Sequence, residues 1–388
     1  MILRLALRNL KGAGIRTWLN AIALSFAFVA IILGQGLLKG MNRQAENASV
    51  AYEVGGGQYR HESYDPDDPL SLGTAHAELP YELRTLVEQG RAVPILVMPG
   101  SLVPEARFMP ILIKGIPPHQ SVLALPTQAL AETSTELPAL VGTRLAQAAG
   151  LEKGDRFILQ VSDQQGRLSD WPARVVAVMQ ASVSSVDIGQ VWVPLERLQQ
   201  LVGLPGQVTL VTLARGVRAR PKSVGWIYRS PDFLLQDLRQ MVRAKSVGQS
   251  VVFVVLFLLA MLAIFDTQVL AVWRRKREIG MLIAMGMTRA QVVVLFTLEG
   301  ALHSVLAVLV GAVYGAPLVY SLNRNGLAIP GGDRWGYALG ETMQPAFTSG
   351  LILSTVALVL IGTGLVAWLP ARKIALLRPT EALSGRPG

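Results

Sequence analysis

Four stretches of this 388-residue sequence, 18–38, 251–273, 292–320 and 351–369, are apolar over the length a bilayer requires. About 20 helical residues cross a hydrocarbon core, and a helix satisfies its own backbone hydrogen bonds there. This constrains the chain more than any other feature. It must be an α-helical membrane protein with four spans, and whatever lies between the spans must fold on one side or the other. The third run is longer than needed, so it is expected to tilt, protrude, or kink at Gly311 or Gly315. The first run is too long for a cleavable leader and no small-residue cleavage site follows it.

Charge then sets the expected orientation. Arg4, Arg8, Lys11 and Arg16 precede the first run without an acid among them. Arg274, Arg275, Lys276, Arg277 and Arg289 lie between the second and third runs against Glu278 alone, and Arg372, Lys373, Arg378 and Arg386 follow the fourth against Glu381. Together these segments carry +11, essentially the whole formal charge of +10, whereas 40–250 holds 20 cations and 20 anions. Cations accumulate on the cytosolic side of short membrane loops. Both termini are therefore expected in the cytosol and 40–250 outside it. The basic balance is a topology signal, and no nucleic-acid partner is expected.

The expected organisation is a cytosolic amphipathic helix (1–17), a first span (18–38), an extracytoplasmic α+β domain (39–250) and a second span (251–273). A cytosolic loop (274–289), a third span (290–320), an extracytoplasmic loop (321–350), a fourth span (351–369) and a cytosolic tail (370–388) follow. Within 39–250, short apolar runs at 93–97, 102–103 and 111–115 read as separate strands divided by "PGS" and "PEARFMP" turns. From Glu136 the pattern becomes strand, short helix, Gly-containing turn, strand, polar hairpin and strand, then strand, helix and strand again. Residues 230–245 read as a helix leading into the second span.

Much chemistry is missing. The sequence has no cysteine, which removes disulfides and thiolate sites. It has no G-x-x-x-x-G-K-[ST] phosphate loop and no G-x-S-x-G elbow, and His61, His76, His119 and His303 lack metal-ligand spacing. No catalytic residue, metal site or cofactor is expected in the chain.

The informative piece is the loop "WRRKREIGMLIAMGMTRAQVVVLF". Glu278–Met285 is long enough for two helical turns, with Ile279, Leu282 and Ile283 able to share a face. Gly286 supplies a stop, Thr288 and Gln291 a capping box, and Met287 with Val292 a hydrophobic staple. Met281, Met285 and Met287 suit an adaptable contact surface. Inside the spans, Asp266, Glu299 and His303 are ionisable groups whose cost in lipid makes them candidates for function. Asp266 lies within reach of Arg274 or another cation near the helix end, and Glu299 and His303 are one turn apart.

These residues resemble the MacB, LolC/LolE and FtsX superfamily of ABC transporter permeases. Its loop pattern, R-E-x-G-x-L-x-A-x-G-x-[ST]-x-x-Q followed by an apolar helix with L-E-G, falls on Arg277, Glu278, Gly280, Leu282, Ala284, Gly286, Thr288, Gln291, Leu298, Glu299 and Gly300. "LALRNLKGAGIRTWLNAIAL", "ILIKGIPP", "LVGTRLAQAAGLEKGDRFIL" and "LPARKIALLRPTEAL" resemble other parts of the family. The size of 39–250 places the chain nearer the MacB and LolC/LolE side than FtsX.

The resemblance implies a permease subunit, not itself an enzyme, of the bacterial inner membrane. It pairs with a second copy or a paralogue and engages two copies of a separate ATPase that holds ATP and Mg. Arg277, Glu278, Ile279, Gly280, Met281, Leu282, Met285 and Gly286 would form the coupling helix against the ATPase. Movement would pass through the membrane to the outer domain, with release or export of a lipoprotein as the expected task and an envelope or lipoprotein partner. Phe28, Ile32 and Phe257 are expected along the path of a lipid-like substrate. The alternative is an FtsX-like mechanical regulator of an envelope enzyme.

Overall fold

The computed structural model describes residues 14–104, 107–132, 134–162, 167–179, 184–328 and 342–375. Most of the expected flat helix over 1–17 and most of the 370–388 tail lie outside them, and residues 15–17 belong to the first long helix. Two compact units form, one from Met1–Met41, Val242–Leu327 and Met343–Gly388, the other from Asn42–Met241 and Ala328–Thr342.

The first unit is built on four helices long and apolar enough to cross a membrane, Ile15–Ser49, Gln236–Arg274, Arg289–Asn325 and Ser349–Ala375. Each overshoots its apolar run, because helical hydrogen bonding does not stop where hydrophobicity does. The helix expected over 230–245 to lead into the second span is formed in two pieces. A short turn at Pro231–Leu234, capped by Ser230, precedes the long helix that starts at Gln236.

The third helix, expected to tilt, protrude or kink, is one element over Arg289–Asn325 with Pro317 inside it, longer than its apolar run at both ends. Its glycines serve close approach. A Cβ on Gly311 would meet Phe28 Cδ1 at 3.0 Å, and one on Gly315 would meet Val29 Cγ2 at 3.0 Å. A Cβ on Gly300 would run into Ala367 of the fourth helix. Lipid competes as well as a neighbouring helix for apolar contact, so small residues that bring backbones together drive such packing. The core of this unit joins Ala21, Leu24, Phe28 and Ile32 to Met261, Ile264, Ala307 and Val359.

The second unit contains strands β1 (Gln58–His61), β2 (Ala77–Glu78), β3 (Ala92–Val103), β4 (Met109–Ile116), β5 (Leu137–Gly142), β6 (Arg156–Ser162), β7 (Leu168–Met179), β8 (Gln190–Pro194), β9 (Gln207–Val208), β10 (Leu210–Leu213) and β11 (Trp226–Arg229). Nine of them form one sheet in the order β11-β1-β10-β3-β4-β8-β5-β7-β6, and β6 also pairs with β3, closing the last six into a ring. The ladders are antiparallel except β4–β8 and β5–β7.

Alternate residues of β3 enter different cores. Val93, Ile95 and Val97 join Trp192 and Leu140, whereas Leu96, Met98 and Leu102 join Ile113 and Val191. With both faces covered, the strand reads as a continuous apolar run.

The separation expected at "PGS" is a correction. β3 is a single 12-residue strand that passes through Pro99 and Gly100. The reason lies in its edge, which pairs with β10 through Ala92–Ile95 and changes partner to β6 from Gly100. Proline and glycine tolerate that break between ladders, a tertiary circumstance that mimics a turn in sequence. The remaining expected elements from Glu136 onward form as read: β5, the helix Thr143–Ala149, β6, β7, β8, the helix Leu195–Val202 and β10.

Candidate coupling loop and intramembrane charges

Lys276–Ala284 is a nine-residue helix between the second and third long helices. Its end is closed by two backbone bonds, Gly286 N–H to the Ile283 carbonyl at 3.0 Å and Met287 N–H to the Leu282 carbonyl at 3.0 Å. This double closure requires a positive φ at the residue after the cap, and Gly286 takes φ +98°. The next helix then begins at once. The Thr288 hydroxyl accepts from Gln291 N–H at 3.3 Å, and the Gln291 side-chain oxygen accepts from Thr288 N–H at 2.9 Å.

The apolar residues of this helix divide between two faces. Ile279 is buried in a small cluster with Val272, Val292, Phe296 and Ala371, and Ile283 and Met287 pack at its margin. Gly280 is also buried and Leu282 is half-buried. Met281 is 51% exposed and Met285 75% exposed, and Arg277 and Glu278 also face outward. Ile279 therefore seats the helix on its own bundle, and a surface for another molecule is left to Met281, Met285 and their charged neighbours.

Arg275 ties the loop to the bundle. Its Nε donates to Glu278 at 2.6 Å, and its Nη1 donates to both oxygens of Glu299 at 2.9 and 3.0 Å. The guanidinium also lies 5.0 Å from the centre of the Phe296 ring. Burial disfavours the charge on Arg275. The hydrogen bond it donates to Glu278 and the charges of Glu299 and Glu278 outweigh this and hold its pKa above the ordinary arginine value. Glu299 is thus a paired charge in a near-buried position, the arrangement that makes an acid tolerable there.

The other ionisable groups stand differently. The His303 ring nitrogen Nδ1 meets the Glu299 backbone carbonyl at 2.7 Å, one turn back on the same helix, so the contact between these residues runs through main chain. Asp266 is exposed, and neither Arg274 nor any other described residue pairs with it. Phe28 and Ile32 are buried in the core of the four-helix unit, so a ligand reaches them only if the helices part, whereas Phe257 is half-buried at the edge of that core. Among the described residues, no cluster of three His, Asp or Glu could hold a metal ion.

Sequence reasoning missed Arg275 because it sits among Arg274, Lys276 and Arg277, four cations that are equivalent until packing selects one. Lys276 lies 5.5 Å from the Trp273 ring centre and Arg372 5.1 Å from that of Trp368. Tryptophan and cation pairs at helix ends are typical of a membrane–water boundary.

Residues 250–379 match the family described as FtsX-like permease C-terminal. Over 320 residues the chain is 25% identical to the lipoprotein-releasing system transmembrane protein LolC of Xylella fastidiosa strain 9a5c, covering 73% of this chain and 75% of that protein. Over 232 residues it is 24% identical to the macrolide export ATP-binding/permease protein MacB of Bordetella avium strain 197N, covering 55% of this chain and 33% of that protein. Four membrane-length helices, a β-rich unit between the first two, and a capped loop helix before the matched third helix are in keeping with these similarities, which support the MacB/LolC/FtsX superfamily of ABC transporter permeases as the family of this chain.

Proposed function

We propose that this permease subunit converts ATP hydrolysis on a separate ATPase into movement of its β unit on the far side of the inner membrane. Its task is the release of lipoproteins from that membrane. The chain hydrolyses nothing itself. It works as a dimer, with itself or a paralogue, against two ATPase copies, which hold the ATP and Mg. The asymmetry of its cations supports a cytosolic position for the loop helix and both termini. The similarity to LolC over three quarters of that protein supports lipoprotein release as the substrate class.

The observation that carries the mechanism is the double engagement of Arg275. One guanidinium holds Glu278 on the loop helix and Glu299 on the third long helix. A push on the exposed Met281–Met285 face is therefore transmitted to a membrane helix through a charged clamp as well as through Ile279. A carboxylate pair held by one arginine resists shear better than apolar contact alone, because its hydrogen bonds are directional.

The test is co-purification with the cognate ATPase and measurement of ATP turnover in lipid. Met281→Asp and Met285→Asp place a charge in the proposed contact and should lose the complex, since apolar anchors at such interfaces cost about 2 kcal/mol or more on disruption. Arg275→Gln should keep the complex and lose the dependence of turnover on substrate. Wild-type assembly in both aspartate variants would show that the ATPase docks elsewhere.

A further inference from the structure

Between Glu196 and Asp232 the chain carries six cations, Arg197, Arg215, Arg218, Arg220, Lys222 and Arg229, and not one acid. This happens inside a region whose charges otherwise balance. Three of the six, Arg215, Arg218 and Arg220, line one open cavity of about 560 Å³ in the β unit.

Their guanidinium groups are not neutralised. The hydrogen bonds of Arg220 go to carbonyl groups and not to an acid. Its Nη1 donates to Val217 and Ala219, its Nη2 donates to Gly56 at 3.4 Å, and its plane lies 4.4 Å from the Tyr228 ring centre. Arg215 has one long bond to the Asn47 carbonyl at 3.5 Å. Arg218 has no hydrogen-bonding or ionic partner among the described residues. Each guanidinium offers five N–H donors, so most of the donors around this cavity remain open. None of the lining residues is acidic. Val50, Val217 and Pro231 add an apolar wall beside the charged one.

We propose that this cavity binds a phosphate-bearing ligand. Planar guanidinium forks match the oxygens of a tetrahedral oxyanion, and an anion between them relieves the mutual repulsion of three like charges. The volume suits a phosphorylated headgroup more than a bare ion, and the apolar wall suits its carbon skeleton. Arg220 is prearranged by its carbonyl contacts and by Tyr228. Arg218 is the free arm that closes on the ligand. Two sources share this chemistry, the headgroup of an anionic phospholipid and free phosphate in solution. Nothing in the proposal depends on the ATPase or on lipoprotein release.

The test uses the full chain in nonionic detergent and measures binding of dihexanoyl phosphatidylglycerol, dihexanoyl phosphatidylcholine and inorganic phosphate. Arg218→Gln removes an exposed side chain with no hydrogen bond or ion pair among the described residues to lose, so its thermal unfolding should match wild type. It should weaken binding about tenfold or more, the loss of a charge-assisted bond. Arg218→Lys should retain part of the affinity. Preference for phosphatidylglycerol over both other probes supports the headgroup source, and equal binding of inorganic phosphate supports the free one. If neither anionic probe binds more weakly to Arg218→Gln than to wild type, the site does not exist. Binding of hexaglutamate without binding of any phosphate probe would likewise overturn it, in favour of an acidic protein segment.

Discussion

Gly286 occupies a position where backbone geometry alone decides the residue. Its φ of +98° closes the loop helix, yet a Cβ placed there would meet nothing within 4 Å. Substitution is therefore penalised by conformation and not by crowding, at about 1–3 kcal/mol for a side chain forced into that region. Gly286→Val is expected to keep membrane insertion and ATPase binding but to uncouple turnover, because the turn that orients Thr288 and the third helix is lost. Gly286→Asn should be milder, since asparagine tolerates positive φ better than a β-branched residue. Equal turnover in both variants and wild type would remove the turn from the mechanism. Arg275 makes a complementary point at this scale. Its importance rests on Glu278 and Glu299, and either acid alone would leave the clamp half made.

At the level of elements, the third helix is held by its small residues. Gly300 lies against Ala367, and Gly311 and Gly315 against Phe28 and Val29. Gly300→Leu should force the third and fourth helices apart and destabilise the unit by about 1–3 kcal/mol, as overpacking does elsewhere. Gly364→Leu on the fourth helix is the control, because a Cβ there meets nothing within 4 Å. Thermal unfolding in detergent separates the two, and a similar loss in both would mean that chain conformation, not helix contact, sets the cost. The pair Glu299 and Gly300 then has a single explanation: one residue receives the arginine clamp while its neighbour lets the next helix close in.

For the whole molecule, the prediction concerns sidedness. The sequence contains no cysteine, so single cysteines report without background. Val224→Cys, at a position 98% exposed in the β unit, should react with an impermeant maleimide on intact spheroplasts. Met285→Cys, 75% exposed on the loop, should react only after permeabilisation. Reaction of both from the same side would refute the four-span arrangement. The second helix carries Val251, Val254, Val255, Leu258, Leu259 and Leu262 exposed along its length, as expected of a helix that meets lipid or a second subunit.

The sequence alone determined the parts of this protein whose physics is local. Apolar length sets the number of spans, cation placement sets their expected direction, and a stop glycine followed by a capping box writes two helices into one short loop. These signals act over a few residues, through i→i+4 bonding, capping and residue spacing, and they survive in any tertiary setting. Only the tertiary structure decided which of Arg274 to Arg277 turns inward, because Glu299 lies 24 residues from Arg275 and reaches it through helix packing. It also decided that β3 runs through Pro99 and Gly100, that Ile279 faces its own bundle while Met281 and Met285 face away, and that three arginines share one cavity. Each depends on groups brought together from distant or oppositely directed segments, and packing, not local preference, selects among chemically equal neighbours.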